Sequence, residues 1–265
     1  MTGATSARAN GNTDAVTFAD PLSHSRRDNT FDTHFSTLER NRLLRSLAID
    51  LAEQLAPELE SVHLRAKQVL GVLDEPLRYV YFPRDAVIAL LAVMDDGTTV
   101  ESATIGNEGM VGVEVFLGDG VPRAEITVEV PGRAARMKAA VFVDTVQRKF
   151  QLRTMVQRYT LALINQLART AACNNLHSVS GRCARWLLMS GDRTGCDSLP
   201  ITHDALAQLL GVRRASVTEA LGTLQRHCII GHQRGHIRIL DREQLEKSAC
   251  EHYRLCRDLY DRLYA

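Results

Sequence analysis

The chain has 265 residues, 45% of them hydrophobic and 24% charged, which suits about two domains with real cores and argues against global disorder. The formal net charge is only +1, so the chain is no polycation, and any affinity for nucleic acid must come from local clustering. The longest apolar run, Ala86 to Met94, is too short to span a bilayer, and no early run suits a signal peptide, so a cytoplasmic location is expected.

Residues 1–35 are rich in Ser, Thr, Asn, Gly and Asp with few apolar anchors, the composition of a disordered tail. Leucines from Leu38 to Leu55 recur at helical spacing and predict a short entry helix pair. Between Leu59 and Met137, short apolar runs alternate with turn signals such as Asp95-Asp96-Gly97, Gly106-Asn107 and Gly118-Asp119-Gly120. Their spacing predicts a compact β-roll. Helical periodicity returns from Val141, and Leu152, Val156, Tyr159 and Leu163 mark one face of a long helix that no Pro or Gly interrupts between Phe150 and Ser180. Such a stripe is buried either on a partner chain or against the β-roll.

The stretch Ile201 to Leu240 carries the most chemistry. Thr202 is placed to cap a helix running to about Leu210, and Gly211 then permits a sharp turn at positive φ. Val217, Ala220, Leu221 and Leu224 predict a second helix from about Arg214 to His227, packed on the first. Ile229 to Leu240 alternates around Gln233-Arg234-Gly235-His236, the pattern of a two-stranded wing. Five arginines here face only Asp204 and Glu219, a local net charge of +3. This is a winged helix-turn-helix, whose second helix enters the DNA major groove. Arg213, Arg214, Ser216, Thr218 and Gln225 can donate to phosphates or base edges, with Arg214 suited to guanine and Arg213 to phosphate. Glu219 either accepts from a cytosine amino group or pairs with Arg226. Arg234 and Arg238 suit backbone contacts from the wing.

Three segments, DDGTTVESATIGNEGMVGVEVFLGDGVPRAEITVEV, SVSGRCARWLL and ITHDALAQLLGVRRASVTEAL, give the chain a resemblance to the Crp/Fnr family over roughly residues 40 to 250. The resemblance implies an α+β fold: an N-terminal cyclic-nucleotide-binding-like β-roll (jelly roll), a long dimerisation helix and a C-terminal winged helix-turn-helix. The expected units are a tail at 1–35, a β-roll sensor domain with entry helices at 36–140, helices including the dimerisation helix at 141–190, and the DNA-binding domain with a C-terminal helix at 191–265. It further implies a non-enzymatic transcriptional regulator, a homodimer whose partners are double-stranded DNA and RNA polymerase, with Leu152, Val156, Tyr159 and Leu163 on the dimer helix. The alternative is a small-molecule-binding or protein-interaction module of the same fold that does not bind DNA.

In cyclic-nucleotide-binding relatives a GE(L/I)xL cassette followed by R(S/T)A clamps the ligand. Placing Gly112 on the cassette glycine puts Arg123 on the phosphate-binding arginine, but Val113 falls on the ribose-binding glutamate, Glu114 is displaced by one, and Ala124 replaces the hydroxyl residue. Leu167 and Ala168 stand where the long helix would contact adenine. Cyclic AMP is therefore not the expected effector, and the effector pocket around Arg123, Val113, Glu114 and Ala124 is left without a named ligand. Arg123 would then pair only with Glu108, Glu114 or Glu125. The six cysteines form no CxxC pair and none precedes Cys173, so no zinc, iron-sulfur or other cofactor is expected; His63 and His177 are not expected to hold haem, nor Cys250 and Cys256 to form a redox pair. No nucleotide-hydrolysing, serine-hydrolase or metalloprotease motif is present in the sequence.

Overall fold

A computed structural model describes residues 40–233 and 235–265. The expected disordered tail at 1–35 and the wing residue Arg234 lie outside the described residues. Helices α1 (Arg42–Arg45) and α2 (Ile49–Leu55) lead into strands β1 (Glu60–Leu64), β2 (Val69–Gly71), β3 (Tyr79–Pro83), β4 (Val87–Val93) and β5 (Thr99–Ile105). Short helix α3 (Val113–Leu117) precedes β6 (Glu125–Val130) and β7 (Gly132–Lys138), followed by α4 (Ala139–Arg148), α5 (Phe150–Leu176) and α6 (Val179–Thr194). The C-terminal part holds β8 (Ser198–Leu199), α7 (His203–Leu210), α8 (Arg214–Arg226), β9 (Ile230–Gln233), β10 (His236–Ile239), α9 (Arg242–Ser248) and α10 (His252–Leu263).

The roll consists of two antiparallel sheets, ordered β1-β7-β3 and β2-β6-β4-β5. Its centre is β4. The apolar run there has no polar alternation because successive side chains point to opposite faces and both faces are covered. Ile88 and Leu90 join the core inside the roll with Phe82, Ile105, Ile126 and Phe142. Val87, Ala89 and Leu91 join a second core with Trp186, Leu187, Leu206, Leu209, Val217 and Leu221. The C-terminal unit is thus packed directly on the outer face of the roll. The division expected at residue 190/191 falls inside α6, whose Cys183, Trp186 and Leu187 belong to this second core.

Two polar contacts join the roll to α6. Arg193 of α6 meets Glu108 of the β5–α3 loop at 2.7 Å, both side chains almost fully buried. A Cβ at Gly106 would lie 2.4 Å from the Arg193 side chain, so the loop can wrap the arginine only with glycine there. Trp186 Nε1 donates to Glu101 Oε2 at 3.0 Å, and burial pushes the Glu101 carboxyl up against the lowering effect of Arg185 and Arg193.

Replacing Glu108 by Ala leaves a buried unpaired guanidinium, so Glu108→Ala is expected to lower unfolding stability by about 3–5 kcal/mol in urea titration. Glu101→Gln keeps the acceptor for Trp186 and removes a carboxylate that burial disfavours. Because the folded carboxyl titrates above its ordinary value, the wild-type penalty exists at neutral pH and disappears as pH falls through that titration. The variant is therefore expected to melt higher than wild type at pH 7 and to converge with it in acid.

Candidate nucleic-acid interface

The helix-turn-helix forms for the reasons its sequence suggests. Thr202 Oγ1 accepts from the Ala205 amide at 3.1 Å and caps α7. Gly211 closes that helix at φ +61°, and a Cβ there would meet Val100 of β5 at 2.8 Å, so both the turn and the docking on the roll require glycine. Val217, Ala220, Leu221 and Leu224 are buried beneath α8. β9 and β10 form the wing around Gly235 at φ +80°, with β8 added to β10 as a third strand that the sequence pattern had not shown.

Arg213, Arg214, Thr218, Glu219 and Gln225 are exposed along α8 and its N-terminus, Ser216 is half-buried, and Arg238 is exposed on β10. Arg213 occupies the N-cap, where unpaired amides and the helix dipole already favour an anion. Arg214 Nε lies 3.3 Å from Asp204 Oδ1 in an exposed pair. Such a pair is worth about 0–1 kcal/mol, so releasing Arg214 to a base costs little. Thr218 Oγ1 meets His203 Nδ1 at 3.1 Å, and burial together with the charges of His232 and Arg214 keeps the His203 imidazole below its ordinary pKa.

Helical geometry places the buried stripe opposite Ala215, Glu219, Gly222 and Arg226, which form the centre of the outward face, while Arg214, Thr218 and Gln225 line one edge. The sequence offered Arg226 as local charge and as a partner for Glu219. Its guanidinium donates to Thr223 Oγ1 at 2.9 Å, leaving Glu219 free of that partner.

The long helix corrects an expectation. Leu152, Val156, Tyr159 and Leu163 are buried within the chain against the roll, and the Tyr159 hydroxyl donates to the Met110 carbonyl at 3.0 Å. The opposite face of α5 exposes Leu161 and Ile164 at 62% and 53%, continued by Ala168, Ala172 and Asn175. The larger apolar residues serve the chain's own core, and the periodicity that revealed them could not tell a core face from a partner face.

The cassette region is equally clear. Gly112 starts α3 at φ +99°, Val113 is buried and Ala124 packs on the roll's core. The Glu114 carboxyl is raised by burial. Arg123 is exposed and pairs with Asp119 at 3.0 Å and Asp74 at 3.9 Å, rather than with Glu108, Glu114 or Glu125. A cleft of about 550 Å³ lies elsewhere, between α3, α4 and α5, lined by Phe116, Phe142, Val146, Arg153, Gln157 and Thr160 among others.

Residues 181–248 match the Crp-like helix-turn-helix domain family. No curated protein matches the chain. Among solved structures, FixK2 from Bradyrhizobium japonicum superposes with a TM-score of 0.62 at 16% identity, over 72% of this chain and 98% of that one. A CRP family transcriptional regulator from Thermus thermophilus gives 0.57 at 17% identity, over 71% and 96%. The c-di-GMP responsive global regulator CLP from Xanthomonas campestris gives 0.52 at 16% identity, over 72% and 99%. The chain therefore has the fold of the Crp/Fnr transcriptional regulators and carries a Crp-like helix-turn-helix domain, as the sequence resemblance implied. Among the described residues no helix is long and apolar enough to cross a membrane.

Proposed function

We propose that this protein is a sequence-specific DNA-binding transcriptional regulator that acts as a homodimer. The observation that carries the reading is the exposed α8, with a basic N-terminus at Arg213 and Arg214 and a basic wing strand beside it, held on a capped and fully packed first helix. Arg214 reads a base in the major groove, Arg213 and Arg238 hold phosphates, and Ser216, Thr218 and Gln225 supply further donors. The dimer forms through the exposed α5 face. Leu161, Ile164, Ala168, Ala172 and Asn175 recur at spacings of three and four, the pattern of a helix-to-helix seam, and small alanines permit close approach. Two copies then present two α8 helices to successive major grooves. Cyclic AMP is not the effector in this reading, since the exposed, acid-paired Arg123 and apolar Val113 and Ala124 supply no cage for it.

In a selection from randomised DNA, Arg214→Ala is expected to lose preference at one base pair per half-site, worth about 1–3 kcal/mol. Arg213→Ala should instead weaken binding to all sequences and lower the salt slope by about one. Unchanged preference in the first variant rejects the base-reading role, and an absence of binding to any duplex at low salt rejects the regulator reading. Leu161→Glu with Ile164→Glu is expected to give monomers in analytical ultracentrifugation, with the β-roll still folded by circular dichroism.

A further inference from the structure

Away from the DNA-reading face, three side chains from separate parts of the chain converge where α5 ends. Cys173 lies in the last turn of α5 and His177 is its C-cap, a spacing that brings Cys173 Sγ to 3.0 Å from His177 Nδ1. Cys250, 77 residues beyond Cys173 and between α9 and α10, brings its Sγ to 3.3 Å from that of Cys173. The three ligand atoms all lie within 4.8 Å of one another. Backbone contacts hold them there: the Cys250 amide donates to the Gly181 carbonyl at 3.2 Å, its carbonyl accepts from the Tyr253 amide at 3.1 Å, and the His177 amide donates to the Cys173 carbonyl at 3.1 Å.

A tetrahedral ion bound at about 2.3 Å to sulfur and about 2.0–2.1 Å to nitrogen separates its ligand atoms by about 3.5–3.8 Å. The Cys173–His177 and Cys173–Cys250 separations fall about half an ångström short of that, an adjustment small enough for side-chain rotation. A disulfide at about 2.05 Å would require the sulfurs to close by more than 1 Å and would give the imidazole no part. Two thiolates and one imidazole are the donor set of a borderline-soft divalent cation.

We propose that Cys173, His177 and Cys250 form a binding site for a zinc-class divalent cation, with a fourth position for water or an exogenous ligand on the half-buried Cys250 side. An ion there ties the winged-helix unit, through the α9–α10 connection, to the end of the long helix. Its occupancy thus fixes the angle at which α8 is presented, and DNA affinity depends on it.

The test uses the full-length protein, reduced, stripped by chelation and titrated with Co²⁺. The expected result is a thiolate-to-cobalt absorption saturating at about one ion per chain and displaced by Zn²⁺. It should vanish in Cys173→Ser and Cys250→Ser, weaken about tenfold or more in His177→Ala, and persist in Cys196→Ser and Cys228→Ser, whose thiols are exposed elsewhere. Circular dichroism checks that each variant folds. No cobalt absorption by folded wild type, or absorption that survives the Cys173→Ser/Cys250→Ser double variant, overturns the site. A Cys173–Cys250 disulfide formed with peroxide, in protein that binds no cobalt when reduced, assigns the pair to thiol chemistry instead. DNA affinity with and without Zn²⁺ is measured separately by anisotropy, so loss of the DNA reading leaves the cobalt result standing.

Discussion

The buried ion pair of Arg193 and Glu108 governs how the two halves of the chain meet. Glu108 also accepts from the Gly106 amide, while the Arg193 guanidinium donates to the Thr104 carbonyl at 2.9 Å and to the Thr104 hydroxyl. The same loop receives the C-terminus, because the Tyr264 hydroxyl donates to the Glu108 carbonyl. Gln166 of α5 links the network outward, donating to the Thr104 carbonyl and accepting from the Tyr260 hydroxyl. A buried pair adds little net stability once desolvation is counted, whereas either partner alone is costly. Its physical effect is therefore selective: arrangements of α6, α5 and α10 that fail to deliver both groups to this loop are penalised by several kcal/mol.

The segments that were legible in the sequence are those whose structure is set locally. Thr202, Gly211 and the Val217–Leu224 stripe specify the helix-turn-helix within a few residues of each other, and turn signals such as Asp96-Gly97 produce the hairpin they suggest, with Asp96 accepting from the Thr98 amide at 2.8 Å. What was not legible depends on contacts between distant residues. The buried face of α5 is apolar enough to pass for a dimer seam until the roll is seen to cover it, and the exposed face proposed as the seam carries Leu161 and Ile164 among smaller residues. The Cys173–His177 pair carries a helical spacing signal, but Cys250 joins it only through the packing of α6 against the α9–α10 connection. Similarly, Arg193 and Glu108 gave no sequence signal of pairing across 85 positions.

Strand β4 explains how the roll and the DNA-binding unit can influence each other. Its alternate side chains belong to two cores, so any shift of β4 that repacks Ile88 and Leu90 inside the roll also moves Val87, Ala89 and Leu91 beneath Trp186 and the helix-turn-helix. Close packing makes such a change discrete rather than gradual. The neighbouring β5 adds a direct contact, since Gln208 of α7 donates to Thr99 at 2.7 Å and Gly211 lies on Val100. The turn between the two helices therefore rests on the roll itself.

These constraints bear on how α8 can read DNA. The centre of its outward face is low in relief at Ala215 and Gly222, so the helix can approach the groove floor closely, and only Glu219 and Arg226 project from that line. Under the proposed function, direct reading falls to Arg214, Thr218 and Gln225 along one edge. Two of these are held by α7, Arg214 by Asp204 and Thr218 by His203. Weak, exposed restraints of this kind limit the rotamers to be lost on binding without opposing release, so they favour a specific edge-on contact over a diffuse basic attraction. A local charge of only +3 across residues 201–240 fits the same balance, because nonspecific phosphate attraction grows with the number of cations and would otherwise mask the discrimination that a few side chains supply.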